Sequence, residues 1–230
     1  MSAFWTPASQ ALAPYLHNRE QADKCLQIIA ASLQPGMSEQ DCELLIRDWL
    51  RAHQLFDPAR PPRVRFAGQP PRRRFGLNRP GKRRYRIGMS YILRCDAVQN
   101  GYVAKASLSG PASVLAPLHA QLCDIREQLP RTLQQGETPQ QLASQFPGLR
   151  QHYRLGPLTG TLPEGNRIDE APLIAGLWQW QLTLSDGQHS VASSEFLLMD
   201  DQGPRWLTDT PAHLLDTNNN GNNHKQEEAA

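Results

Sequence analysis

Residues Gly88 to Gly110 read GMSYILRCDAVQNGYVAKASLSG. Two runs rich in Tyr, Ile, Leu and Val flank Asn100-Gly101, the pair best able to take the positive φ angles of a type I′ turn, so the stretch is predicted to be a β-hairpin. Pairing outward from that turn sets Val98 opposite Val103, Asp96 opposite Lys105 and Arg94 opposite Ser107. Because side chains alternate between faces, Leu93, Cys95, Ala104, Ala106 and Leu108 share an apolar face. Arg94, Asp96, Val98, Val103, Lys105 and Ser107 share the other. Cross-strand pairing of Asp96 with Lys105, worth about 0.2–1 kcal/mol, is one explanation of the charge on that face.

Upstream, an apolar stripe of Ala22, Cys25, Leu26, Ile29 and Ala30 predicts a helix from about Asn18 to Leu33, stopped by Gln34-Pro35-Gly36. Ser38 then caps a second helix to about His53. Asp41 stands at its third position, and its predicted buried stripe is Cys42, Leu45, Ile46, Trp49 and Leu50. A short strand is expected at Val64 to Phe66. Downstream of the hairpin, Val114 to Leu133 reads as a helix, and Thr138-Pro139 as the start of another running to Phe146. Two further strands follow, Trp178 to Leu184 and Ala192 to Met199, joined through Ser185-Asp186-Gly187.

The order repeats. Leu33-Gln34-Pro35-Gly36 followed by Ser38-Glu39-Gln40 returns as Leu133-Gln134-Gln135-Gly136 followed by Thr138-Pro139-Gln140. Helix, turn, helix and sheet thus occur twice, in halves of about residues 18–110 and 114–208, within one duplicated α/β domain over residues 1–216. The tail from Thr217 to Ala230 is rich in Asn, Gly and Gln and is expected to be disordered.

Bulk properties exclude little. The 230 residues carry a net charge of only +2, so no global polyelectrolyte character points to a partner. Arg72, Arg73, Arg74, Arg79, Lys82, Arg83, Arg84 and Arg86 crowd one Pro- and Gly-rich loop with Phe75 and Tyr85. Such a loop is usually a solvated one, and nucleic-acid binding is the less favoured alternative. Four scattered cysteines without metal-ligand spacing, and an N-terminus without a basic and then apolar region, predict a cytoplasmic protein. No apolar run approaches the ~18 residues of a membrane span. No G-x-S-x-G or Cys-His signature marks a nucleophile. Trp178 and Trp180 are read as core, with pocket lining as the alternative.

The hairpin, the Gln-Pro-Gly-Met-Ser helix junction, Leu155-Gly156 with Pro163, and Ser194-Glu195-Phe196 through Gly203 and Leu207-Thr208 together resemble the methionine aminopeptidase, Xaa-Pro peptidase and creatinase superfamily. The resemblance covers about Arg19 to Thr208. It implies an α/β pita-bread fold: two pseudo-symmetric halves around a central pocket. It also implies which residues stand at the five metal-ligand positions of that superfamily. Arg94 and Lys105 fall where its hairpin aspartates belong, Tyr153, with His152 just before it, where its histidine belongs, and Leu182 and Glu195 where its glutamates belong. Its substrate-facing histidine falls at Gly160.

A dinuclear site needs carboxylates to neutralise two dications and a neutral imidazole. With cations at the two aspartate positions, no metal and no other cofactor is expected. Glu195 would then be a buried carboxylate compensated by Arg94 and Lys105 in an ionic cluster with Asp96. Two roles stay open for that cluster. It could leave room for a small anionic, amino-acid-derived or peptide-like ligand, with Arg94 as a bidentate clamp and Lys105 as a point charge. Alternatively it only joins the halves of a noncatalytic interaction module with a protein partner. If a reaction is catalysed, the resemblance implies a metal-independent hydrolase or lyase, as creatinase is within the superfamily.

Overall fold

A computed structural model describes residues 9–66, 83–136, 150–157 and 176–209. The helix expected at Thr138 to Phe146, Gly160, the loop cations from Arg72 to Lys82 and the tail lie outside the described residues. The elements are α1 (Ser9–Ala31), α2 (Glu39–Ala52), β1 (Arg63–Phe66), β2 (Tyr91–Gln99), β3 (Tyr102–Gly110), α3 (Ala112–Gln134), β4 (Arg150–Pro157), β5 (Gly176–Ser185), β6 (Ser190–Asp200) and β7 (Gly203–Trp206). They form two antiparallel sheets, β1-β2-β3 and β4-β5-β6-β7.

The hairpin forms in the expected register, with Val98 opposite Val103, Asp96 opposite Lys105 and Arg94 opposite Ser107. Asn100 (φ 52°) and Gly101 (φ 81°) both take the left-handed conformation that a type I′ turn demands. Leu93, Cys95, Ala97, Ala106 and Leu108 bury their face against Ala22, Cys25, Leu26 and Ile29 of α1 and Cys42, Ile46 and Leu50 of α2.

α1 begins at Ser9, nine residues before the expected Asn18, and carries Pro14 inside it. A proline within a helix forfeits a backbone hydrogen bond. Tertiary contact offsets the loss: Leu12 joins Ala104, Leu177, Phe196 and Leu198 in a core between the two sheets, with Tyr15 and Leu16 packed against it. The Tyr15 ring lies edge-on to Tyr102 at 5.0 Å and to Phe196 at 6.0 Å.

α2 has the predicted capping box, Asp41 N–H donating to Ser38 Oγ at 3.1 Å and Ser38 N–H to Asp41 Oδ2 at 2.8 Å. The Ser38 backbone and hydroxyl donors hold the Asp41 carboxyl below its usual range. Its buried stripe is Cys42, Ile46 and Leu50, whereas Leu45 is 41% exposed. The stripe is rotated because Glu39 and Glu43 turn toward β1. There Glu43 Oε1 accepts the Val64 N–H at 3.0 Å and Glu39 Oε1 the Phe66 N–H at 2.8 Å. Both donors lie on the edge of β1 away from β2.

The 36–39 junction is fastened to the far end of the basic loop. Backbone bonds join Gly36 N–H to Tyr85 O and Tyr85 N–H to Met37 O, and the Arg84 guanidinium donates to Gly36 O at 2.6 Å. Arg83 donates to Phe66 O at 3.0 Å. Two of the eight loop cations are therefore committed to backbone carbonyls.

α3 covers one face of the second sheet. Leu115, Leu118, Leu122, Ile125 and Leu129 pack on Trp178, Trp180, Leu182, Leu184, Val191 and Leu197. His119 is buried on the same helix, and burial pulls its imidazole pKa down from 6.5 to about 4. The folded chain thus keeps His119 neutral where the unfolded chain protonates it, so this contribution is full above pH 6.5 and is lost as pH falls toward 4. The slope across that window should reach about 1.4 kcal/mol per pH unit. In urea melts from pH 7 to pH 4, His119→Phe should remove this component, and an unchanged profile in the variant would contradict it.

Candidate functional site

The alternation of β5 and β6 decides what the second sheet offers on the side away from α3. Trp180 is directly opposite Glu195, and Leu182 opposite Ser193. Directly paired residues share a face, so Glu195 and Ser193 lie with the two tryptophans on the α3 side. Gln179, Gln181, Thr183, Ala192, Ser194 and Phe196 lie on the other side.

That second side meets β2 and β3 through polar groups. Arg94 Nη2 donates to Thr183 Oγ1 at 2.5 Å, and the Ser107 and Ser194 hydroxyls are 2.7 Å apart. Ser109 Oγ accepts the Ala192 N–H at 2.9 Å. Gln179 bridges the sheets: its Oε1 accepts the Lys105 N–H at 3.2 Å while its Nε2 donates to Glu195 O at 3.1 Å. Side chains from α1 occupy other groups of β3, Asn18 Nδ2 donating to Tyr102 O at 2.9 Å and Arg19 Nη1 to Lys105 O at 3.0 Å. Gln181 Nε2 donates to Ser194 Oγ at 3.4 Å.

This geometry sets Glu195 apart from the rest of the expected ionic cluster. Arg94 stands on the charged face of the hairpin and its guanidinium reaches Thr183 of the second sheet, whereas Lys105 meets that sheet through its backbone N–H. Asp96 is ion-paired with Arg60 at 3.4 Å. Glu195 is fully buried on the opposite side of the sheet, where its Oε2 accepts from Arg126 Nε at 2.6 Å and its Oε1 from Ser193 Oγ at 2.8 Å. Its compensating cation is therefore Arg126 of α3, not Arg94 or Lys105, because the strand pleat turns Glu195 away from the hairpin. The residue that β6 presents to Ser107 is Ser194.

The same pleat decides the place of Leu182 and of the two tryptophans. Leu182 faces α3, and its neighbour Gln181 takes the place beside Ser194. Trp178 and Trp180 are core, 1% and 0% exposed against α3, rather than pocket lining. In β4, His152 pairs in register with Thr183 and Tyr153 with Leu182.

Arg126 escaped the sequence reading although α3 signals it. It follows Leu118, Leu122 and Ile125 on a buried stripe, where an arginine requires a buried acceptor. Its guanidinium also lies 5.2 Å from the Trp206 ring and donates to Thr208 O at 2.6 Å, while Trp206 Nε1–H donates to Arg126 O at 2.9 Å.

These residues do not fit a dinuclear metal centre. The hairpin offers a guanidinium, an ammonium and one carboxylate, Asp96, which Arg60 already neutralises, and the facing strands offer hydroxyls and carboxamides, which neutralise no dication. Among the described residues, no three His, Cys, Asp or Glu side chains converge as a metal-binding group. No described helix is long and apolar enough to cross a membrane.

No protein-family model matches the sequence, and no characterised protein sequence matches it either. Solved structures do match the fold. The X-Pro aminopeptidase from Thermotoga maritima MSB8 superposes with a TM-score of 0.68 at 12% identity, over 89% of this chain and 62% of its own. A dipeptidase from Pyrococcus horikoshii OT3 gives 0.64 at 19% identity, over 88% and 61%. The prolidase from Pyrococcus furiosus gives 0.65 at 13% identity, over 88% and 65%. The chain spans about three fifths of the length of these proteins. The two sheets, their covering helices and the hairpin at their junction thus give this chain the pita-bread fold of the prolidase and X-Pro aminopeptidase structures.

Proposed function

We propose that this protein is a divergent pita-bread protein whose cleft, between two pseudo-symmetric halves, binds a small anionic, amino-acid-derived or peptide-like molecule without a dinuclear metal. The observation that carries this reading is the placement of Arg94 and Lys105 on adjacent strands, facing the hydroxyls and carboxamides of β5 and β6. Cations at the positions of metal-binding carboxylates exchange metal affinity for anion affinity. Arg94 supplies a planar fork for a carboxylate or phosphate, and Lys105 a compact charge. Any reaction at the site would be a metal-independent hydrolysis or elimination. The thiols of Cys25, Cys42, Cys95 and Cys123 are all free, which supports a reducing, cytoplasmic compartment.

Thermal melts with a panel of small carboxylates and phosphates test the reading. A ligand at a hundred times its Kd stabilises by about 2.7 kcal/mol. For a domain of this size that raises Tm by roughly 5–10 °C. The shift should vanish in Arg94→Met and shrink in Lys105→Met. Absence of any shift across the panel, or shifts that survive Arg94→Met, would overturn the proposal, as would one or two tightly held transition-metal ions per chain by elemental analysis.

A second reading, a noncatalytic interaction module, is favoured by the hydrogen-bonded seam itself, where Ser107–Ser194, Ser109–Ala192 and Arg94–Thr183 join the sheets. Under it Arg94→Met loses stability and no anion protects the wild type. Nucleic-acid binding by the loop is a weaker reading, since Arg83 and Arg84 already fasten the loop base.

A further inference from the structure

We propose that a groove between α1 and the segment leaving β7 binds a small zwitterion with an apolar side chain, an α-amino acid of the leucine type. The inference uses neither the Arg94 nor the Lys105 side chain and stands apart from the cleft reading above.

Leu16, Glu20, Asp23 and Gln27 recur at helical spacing, so one stripe of α1, about 16 Å long, runs along the groove. Leu207, Thr208 and Asp209 form the facing wall. The space enclosed is about 560 Å³, inside the range of roughly 300–1,000 Å³ usual for small-molecule sites. Leu16 and Leu207 both pack on the core between the sheets, and they supply the groove with an apolar patch.

The charges identify the ligand. Arg19 lines the groove although its side chain is only 3% exposed. Its Nε donates to Asp23 Oδ2 at 2.6 Å and its Nη1 to Lys105 O at 3.0 Å. Among the described residues its Nη2 meets no acceptor. A buried guanidinium fixed through two nitrogens, with the third unused, is preorganised to receive a carboxylate. On the opposite wall Thr208 Oγ1 is buried and has no hydrogen-bond partner either, and rotation about χ1 lets it donate to the same carboxylate. A bare anion fits poorly, however. Glu20 and Asp209 stand exposed at the rim beside Asp23, and neither takes part in an ion pair among the described residues. The rim's exposed cation, Lys24, is outnumbered by these carboxylates. An ammonium carried next to the ligand's carboxylate meets both demands, the unused guanidinium nitrogen below and the acidic rim above.

Calorimetric titration with leucine, N-acetylleucine and leucinamide tests this, since the second lacks the ammonium and the third the carboxylate. Leucine should bind at least tenfold more tightly than either. The rim variant Glu20→Gln/Asp209→Asn should weaken leucine about tenfold and leave N-acetylleucine unchanged. Arg19→Lys, which keeps a charge for Asp23 and a donor for Lys105 O, should weaken leucine and leave leucinamide unchanged. Circular dichroism melts establish that both variants are folded, and the rim variant, confined to exposed side chains, decides alone if Arg19→Lys is not. Equal binding of leucine and N-acetylleucine, leucine affinity untouched by the rim variant, or no binding of any of the three would overturn the inference. So would leucine binding that Arg94→Met abolishes and the rim variant spares, because the amino acid would then occupy the cleft between the sheets.

Discussion

Arg126→Met should lower stability by about 3–5 kcal/mol, the usual loss when one partner of a buried ion pair is removed. The variant keeps the volume of the side chain but leaves the Glu195 carboxylate, 0% exposed, with Ser193 Oγ as its remaining side-chain donor among the described residues. It also strips Thr208 O of its donor and Trp206 of the guanidinium stacked on it. The double variant Arg126→Met/Glu195→Leu should recover most of the loss, because it removes the stranded charge along with its partner. Urea melts decide: a single variant within about 1 kcal/mol of wild type would mean that the pair behaves like an exposed one.

Trp180→Ala should be of similar size, roughly 3–5 kcal/mol, the range for emptying a buried aromatic position. Its ring is 5.0 Å from that of Trp206, which in turn lies on Arg126. The losses of Trp180→Ala and Arg126→Met should therefore fall short of additivity or exceed it by more than about 0.5 kcal/mol, the usual bound for independent sites. A tryptophan lining a ligand cleft would behave otherwise, altering affinity in melts with ligand while leaving the unliganded protein near wild-type stability.

The hairpin was legible because Asn100-Gly101 fixes the turn and strict alternation then fixes every partner. The same procedure would have placed Glu195. Counting outward from the second turn sets Ser185 opposite Ser190, Leu184 opposite Val191 and so Trp180 opposite Glu195. Resemblance pulled the other way, since a glutamate opening the last long strand looks like a ligand. A shift of one residue moves a side chain through the sheet, and Ser193-Ser194-Glu195 offers no apolar contrast to expose the slip. The early start of α1 was hidden by Pro14, whose cost is met by packing that no local pattern records. Leu45 was misplaced because Glu39 and Glu43 turn their carboxylates to β1, a rotation of the helix that no apolar pattern records.

Those two carboxylates have a bearing on how the protein behaves in a crowded solution. A short, flat strand at the border of a sheet ordinarily invites a strand from another molecule to zip onto it. Here the outward amides of Val64 and Phe66 are already spoken for by Glu43 and Glu39, and burial pushes the Glu43 carboxyl up from its usual range. An approaching chain meets occupied donors and a helix in its path. Mild acid that protonates Glu43 would exchange a charged acceptor for a weaker neutral one, so aggregation at acidic pH should begin at β1, and Glu43→Gln, which is neutral at every pH, should remove that pH dependence.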